Sequence, residues 1–191
     1  MKLTAITGNL NQHALQSLTA KARDPEYESL KVAAEAFNGT ERGLTPCLTG
    51  QLFHKSCAAL FAGERFPAGT ECFLPYAHAL RAHLHRLGFT RFEAEVPVRR
   101  GEITGRADLI ALASRRRAVV EFKVCDMPWE ADAETMVQAA SYGYMLPRSF
   151  RYLKTGLIVF YVDLRRRRIE AYRWDDFRQV SKPLRELRAA A

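Results

Sequence analysis

Three side chains of the 191-residue chain have the types and spacing that hydrolysis of an anionic substrate needs: Asp108, Glu121 and Lys123. They lie in two runs of strand character, Gly105 to Leu112 and Ala118 to Cys125, separated by Ala113-Ser-Arg-Arg-Arg117. A hairpin whose turn is centred between Ser114 and Arg115 puts Asp108 directly opposite Glu121, with Cβ atoms roughly 5 Å apart. Lys123, two residues on, shares the face of Glu121, while Val120, Phe122 and Val124 point to the other.

Two carboxylates in apolar surroundings are costly without a counter-charge, and a divalent cation is the natural compensation. Mg²⁺ or Mn²⁺ held by oxygen ligands polarises a phosphoryl oxygen and generates hydroxide. Lys123 then orients that water or offsets the growing negative charge, so the expected chemistry is phosphodiester hydrolysis. The same register sets Arg106 opposite Lys123, a repulsive pair unless an anion lies between them. On the hairpin alone, a surface Glu-Lys pair on an edge strand, with Asp108 as an unrelated strand-end residue, is an equal reading.

Four short elements stand in order: Gly50-Gln-Leu-Phe-His54, Gly105-Arg-Ala-Asp108, Glu121-Phe-Lys123 and Gln138-Ala-Ala-Ser-Tyr142. Together they resemble the motif series of the PD-(D/E)XK nuclease superfamily, specifically its RecB-like branch, and the resemblance covers residues 50 to 162. It implies a restriction-endonuclease-like α/β fold, a mixed central sheet flanked by helices, with Asp108, Glu121 and Lys123 catalytic. It further implies that His54, Asp108, Glu121 and the backbone carbonyl of Phe122 hold the metal. A histidine among the ligands softens the site, so that Mn²⁺ serves at least as well as Mg²⁺. Gln138 and Tyr142, four apart and so on one helix face, are expected to contact substrate or to brace the lysine, and Arg106 to join them against phosphate.

The implied activity is that of a metal-dependent DNA nuclease, an exonuclease of DNA repair, recombination or phage DNA metabolism, working alone, with a protein partner or as a homo-oligomer. The competing expectations are a non-catalytic DNA-binding subunit that keeps the fold, and a nuclease directed at RNA. Ala107 stands where the superfamily's name has proline. Branch members with an iron–sulfur cluster carry three cysteines after the core, whereas this chain has none after Cys125, so no cluster is expected.

The elements that must position these residues follow from pattern. Apolar positions from His13 to Asn38 predict helix, with a break at Asp24-Pro25, and Gly39 to Pro46 predicts a loop. Helices are predicted from Gly50 to Phe61 and from Thr70 to Leu87, the second ended by Gly88. Strands are predicted over Phe92 to Val98, Ile103 to Leu112, Ala118 to Cys125, Gly156 to Val162 and Arg168 to Arg173, with helices over Ala131 to Leu146 and Asp175 to Ala190. Strands as apolar as those around Val120 and Val159 call for helices on both faces of the sheet. The expected organisation is an N-terminal helical extension over 1–45 and a nuclease core over 46–191. Glu93 and Glu95, on one face of the first of these strands, offer either an additional acidic ligand or a solvated strand face; the solvated reading is preferred and both are left out of the site.

Composition sets the frame: 48% hydrophobic and 26% charged residues fit a globular domain and exclude fibrous or disordered classes. No apolar run approaches the roughly 18 residues of a membrane span, and the start of the chain lacks signal-peptide character, so a cytoplasmic protein without a membrane partner is expected. The four cysteines form no Cys-x-x-Cys pair and are expected to be reduced and mostly buried. A net charge of +8, concentrated in Arg99-Arg100, Arg115 to Arg117 and Arg165 to Arg168, favours a polyanionic partner.

Overall fold

The most apolar run of the chain forms the strand around which the rest is arranged. In the computed structural model, which describes residues 26–35, 37, 43–101, 103–125, 133–146, 154–176 and 178, the elements in chain order are as follows. Strand β1 (Glu26–Lys31) precedes helix α1 (Pro46–Ala62), and a 3₁₀ turn (Glu71–Phe73) leads into α2 (Leu74–Arg86). Strands β2 (Arg91–Arg100), β3 (Ile103–Leu112) and β4 (Arg116–Val124) come next, then α3 (Ala133–Met145), β5 (Lys154–Asp163) and β6 (Arg168–Trp174).

The six strands make one open sheet in the order β1-β6-β5-β4-β3-β2. β4 and β5 are parallel, as a pair joined through a helix can be, and every other neighbouring pair is antiparallel. This is the expected mixed α/β architecture. Helices α1 and α2 cover one face, where Phe53, Phe61, Tyr76 and Leu80 pack on Leu109, Val120, Phe122 and Phe160. Helix α3 covers the other, where Met136, Val137 and Ala140 pack on Ile110, Val119, Leu157 and Val159. Covered on both sides, β5 can be apolar at successive positions instead of alternating.

Local chemistry fixes the helix that carries His54. Thr45 accepts from the Leu48 N–H at 3.3 Å as N-cap, and Pro46 occupies the first turn, where no N–H is needed. At the other end Gly63 takes a left-handed backbone, φ 73°, so its N–H and that of Glu64 can close the last turn onto Leu60 and Ala59.

The N-terminal expectation needs correction. Residues 26–31, placed in a helix by their periodicity, form β1 and pair with β6 from Glu26↔Arg173 to Lys31↔Arg168. Val32 and Phe37 then enter the core under α1 and α2. Leu30 and Val32, which face that same core, are two residues apart, the spacing of a strand and not of one helix face. Because β1 covers the edge of β6, a boundary at residue 45 would cut the sheet. The remainder of the expected first helix, 13–25, and of the last, 179–190, lies outside the described residues. No described helix is long and apolar enough to cross a membrane.

Candidate active site

The β3–β4 ladder runs from Leu112↔Arg117 to Leu109↔Val120, which is the register of a turn centred on Ser114 and Arg115. Asp108 and Glu121 stand one step beyond its last pair. The β2–β3 ladder skips Glu95 and Asp108 but resumes and continues to Arg100↔Ile103, and the β4–β5 ladder runs to Val124↔Val162, whereas pairing between β3 and β4 stops at this end of the sheet. The carboxylates lie at the mouth of that opening.

Asp108 uses both of its oxygens there. Oδ2 accepts from the Phe122 N–H at 2.9 Å, and Oδ1 lies 3.1 Å from Nδ1 of His54. The aspartate therefore points along the sheet toward β4 and does not stand on the face that Glu121 shares with Lys123. His54 flanks the buried ridge of α1 made by Phe53, Cys57 and Phe61, which are four residues apart, and so reaches the sheet at its exposed margin. The Cys57 thiol, one turn on and wholly buried, has its pKa pushed well up by burial and by the negative charge of Asp108.

Phe122 anchors this end of β4. Its ring stacks on Phe61 at 6.2 Å and on Phe160 at 6.0 Å and meets Phe53 and His54 edge-on. The apolar residue between Glu121 and Lys123 thus holds the backbone that presents both to the opposite face.

Glu121 is 2% exposed. Its Oε1 is 3.6 Å from Nζ of Lys123, and its Oε2 is buried with no hydrogen-bond partner. Burial, and then the Asp108 charge, push its pKa well above the usual carboxylate range; Lys123 offsets this only in part. Lys123 in turn donates to Oε1 of Gln138 at 3.4 Å, and Nε2 of Gln138 donates to the Tyr142 hydroxyl at 2.8 Å. Tyr142 is buried, its pKa raised mainly by that burial and lowered in part by hydrogen bonds from Gln138 and from the Arg106 backbone. A chain of contacts from α3 thereby braces the lysine, one of the two roles expected of Gln138 and Tyr142.

Gly105 belongs to this chain for a steric reason that spacing does not reveal. A Cβ on it would lie 2.5 Å from Cε1 of Tyr142, so only glycine lets the ring lie across β3.

Other expectations are corrected. Arg106 does not face Lys123, because the ladder that would oppose them has ended; it pairs with Glu95 at 3.4 Å. The arginine clusters serve the fold at several points: Arg117 is buried against Thr155, Arg116 donates to the Leu87 carbonyl, and Arg100 lies over the Tyr144 ring. Arg166, Arg167 and Arg168 bond to Asp163, the Ala34 carbonyl and Ser29. None of the four cysteines is in a disulfide, and only Cys57 is buried. His83 and His85 contact Glu28 and the Phe89 carbonyl.

Among the described residues no three of His, Cys, Asp and Glu are gathered closely enough to form a ready-made cation cage. The donors present nevertheless suit a divalent cation: two carboxylates, one with an orphaned buried oxygen, beside a histidine. Compared with known proteins, the chain matches no protein-family model and no curated sequence.

Proposed function

We propose that this protein is a divalent-metal-dependent DNA nuclease that hydrolyses phosphodiester bonds, an exonuclease of DNA repair, recombination or phage DNA metabolism. The observation that carries the reading is the orphaned, buried oxygen of Glu121 beside a second carboxylate and a braced lysine. A fold keeps such a destabilising arrangement where a cation and a phosphate complete it.

Asp108, Glu121, His54 and the Phe122 carbonyl would hold Mn²⁺ or Mg²⁺. When bound, the ion supplies a Lewis acid for the phosphoryl oxygen and lowers the pKa of a water. With its proton on Nε2, His54 would present the lone pair of Nδ1, 3.1 Å from Oδ1 of Asp108, to an ion that this carboxylate also holds. Lys123 keeps its ammonium toward Glu121 through the Gln138 contact, where it can orient the attacking water and offset charge gathering on the phosphorane oxygens. Gln138 and Tyr142 hold that lysine in place, which limits the motion of a long side chain that is itself 35% exposed. Arg106, on the rim, is the residue available to a flanking phosphate. Four unbridged cysteines suit a reducing compartment, in keeping with a cytoplasmic enzyme.

The test is cleavage of end-labelled linear and closed circular DNA, single- and double-stranded, with Mn²⁺, Mg²⁺ or EDTA. Metal-dependent cutting of linear forms, with circles left intact and activity lost in Lys123→Ala, is the expected result. Cut circles would replace the exonuclease with an endonuclease. No cutting by folded wild type, or equal cutting by Lys123→Ala, would remove the assignment.

A further inference from the structure

Glu95 combines three features that a solvated strand residue does not need. Its backbone is left-handed, φ 52°, within β2, a conformation that costs stability for any residue with a side chain. In the β2–β3 ladder it falls between Ala94↔Leu109 and Val96↔Ala107, and so lies across from Asp108. At that point both strands change face: Ala94 and Leu109 pack with the core under α1 and α2, Val96 and Ala107 with the core under α3. In a regular strand residues two apart share a face, so the turnover is centred on Glu95 and Asp108.

The surroundings are negative beyond what the nearby cations offset. Glu95 lies across from Asp108 on one side and Glu121 stands across from it on the other, so three carboxylates gather on adjacent strands. Against them stand Lys123 and Arg106. The Arg106 pair with Glu95 is 3.4 Å long, with the two side chains 67% and 39% exposed, and a pair so solvated is readily given up. Oε2 of Glu121, buried and without a partner, marks where positive charge is wanted.

We propose that Glu95 is a third acidic ligand of the divalent cation held by Asp108 and Glu121, with Arg106 occupying it until the cation binds. The inference rests on the metal-dependent reading given above. It explains why a strained backbone persists opposite Asp108: the left-handed residue turns the strand where its side chain must leave the regular pattern of the sheet. It also gives Arg106 two partners in succession, Glu95 in the resting protein and a substrate phosphate once the cation has taken the carboxylate.

The experiment is direct titration of the full chain with Mn²⁺, without DNA, following the free ion by electron paramagnetic resonance. Glu95→Gln is expected to weaken binding at least tenfold, and Arg106→Gln, which removes the competitor for Glu95, to tighten it a few fold. Thermal melting in EDTA checks that each variant is folded. Wild-type affinity in Glu95→Gln, with binding lost in Asp108→Asn, would overturn the proposal and leave the metal site standing. Weaker binding in Arg106→Gln would also count against it, since it would make the arginine a support of the site and not a competitor. No binding of Mn²⁺ by wild type would overturn both this proposal and the metal-dependent reading.

Discussion

Replacing Glu121 by glutamine is expected to stabilise the metal-free protein and to destabilise it relative to wild type once Mn²⁺ is added. The glutamate is almost wholly buried, one of its oxygens has no partner, and Asp108 adds like charge. Glutamine keeps a polar group in the same place but removes the negative charge, and a buried charged group without a partner costs upward of about 1–3 kcal/mol. The variant gives up the contact with Lys123, which is partly solvated and worth at most about 1 kcal/mol. The net gain is then roughly 1–2 kcal/mol, which in a chain of this size raises the melting temperature by roughly 2–8 °C. Wild type alone regains stability from the ion, about 2.7 kcal/mol at a hundredfold excess over Kd. The order of the two melting curves should therefore reverse between EDTA and Mn²⁺.

The pH dependence has a defined sign. Because the folded protein holds the Glu121 proton to higher pH than the unfolded chain does, folding is penalised progressively as pH rises from the unfolded value, about 4.5, through the folded one. The advantage of Glu121→Gln in EDTA should be small near pH 4.5 and larger at pH 8. The assay is thermal melting at the two pH values with and without metal. A Glu121→Gln protein less stable than wild type in EDTA at pH 8 would mean that the carboxylate is satisfied in the fold, and the argument from its orphaned oxygen would fail.

Two further expectations concern packing and protonation. Gly105→Ala should cost about 1–3 kcal/mol by overlap with the Tyr142 ring and almost nothing in a Tyr142→Ala background, a coupling that urea unfolding of the four proteins measures. His83, buried on α2, has its pKa lowered from 6.5, first by burial and then by Arg86, against the pull of Glu28. The unfolded chain therefore takes up this proton first as pH falls, and stability present above pH 6.5 is lost below it with a slope of up to about 1.4 kcal/mol per pH unit. His83→Gln should flatten the dependence of the urea midpoint between pH 7.5 and 5.5; an unchanged slope would show that His83 protonates equally well in both states.

Much of the fold was legible because its strands are long and bounded by clear turn signals. The bounds of β3 agree with expectation, Ile103–Leu112, and the register with β4 follows from the polar turn between them. β5 is evident from its unbroken apolar run, and the helix over 133–145 from its small residues and the following proline. β1 was not legible, since its six residues carry little periodicity of their own and become a strand through β6, some 140 positions later in the chain. The positions of Asp108, Glu121 and Lys123 near one another could be read from register. The direction of Asp108 could not, because that reading assumes strict alternation, and alternation stops where the ladder ends.

The same interruption accounts for the failed opposition of Arg106 and Lys123. A regular hairpin would bury its carboxylates against a face or leave them in water; opening β3 from β4 provides a third direction, along the sheet, where side-chain oxygens meet backbone N–H groups. Opening a sheet forfeits ladder bonds, and what holds the frayed strand is on its other side. The ring of Phe122, stacked between Phe61 and Phe160, fixes β4 from the core under α1 while Glu121 and Lys123 project away from it. The alternation glutamate, phenylalanine, lysine is thus a division of labour across the sheet, in which packing on one face and the ladder with β5 hold the strand whose other edge is open to the site.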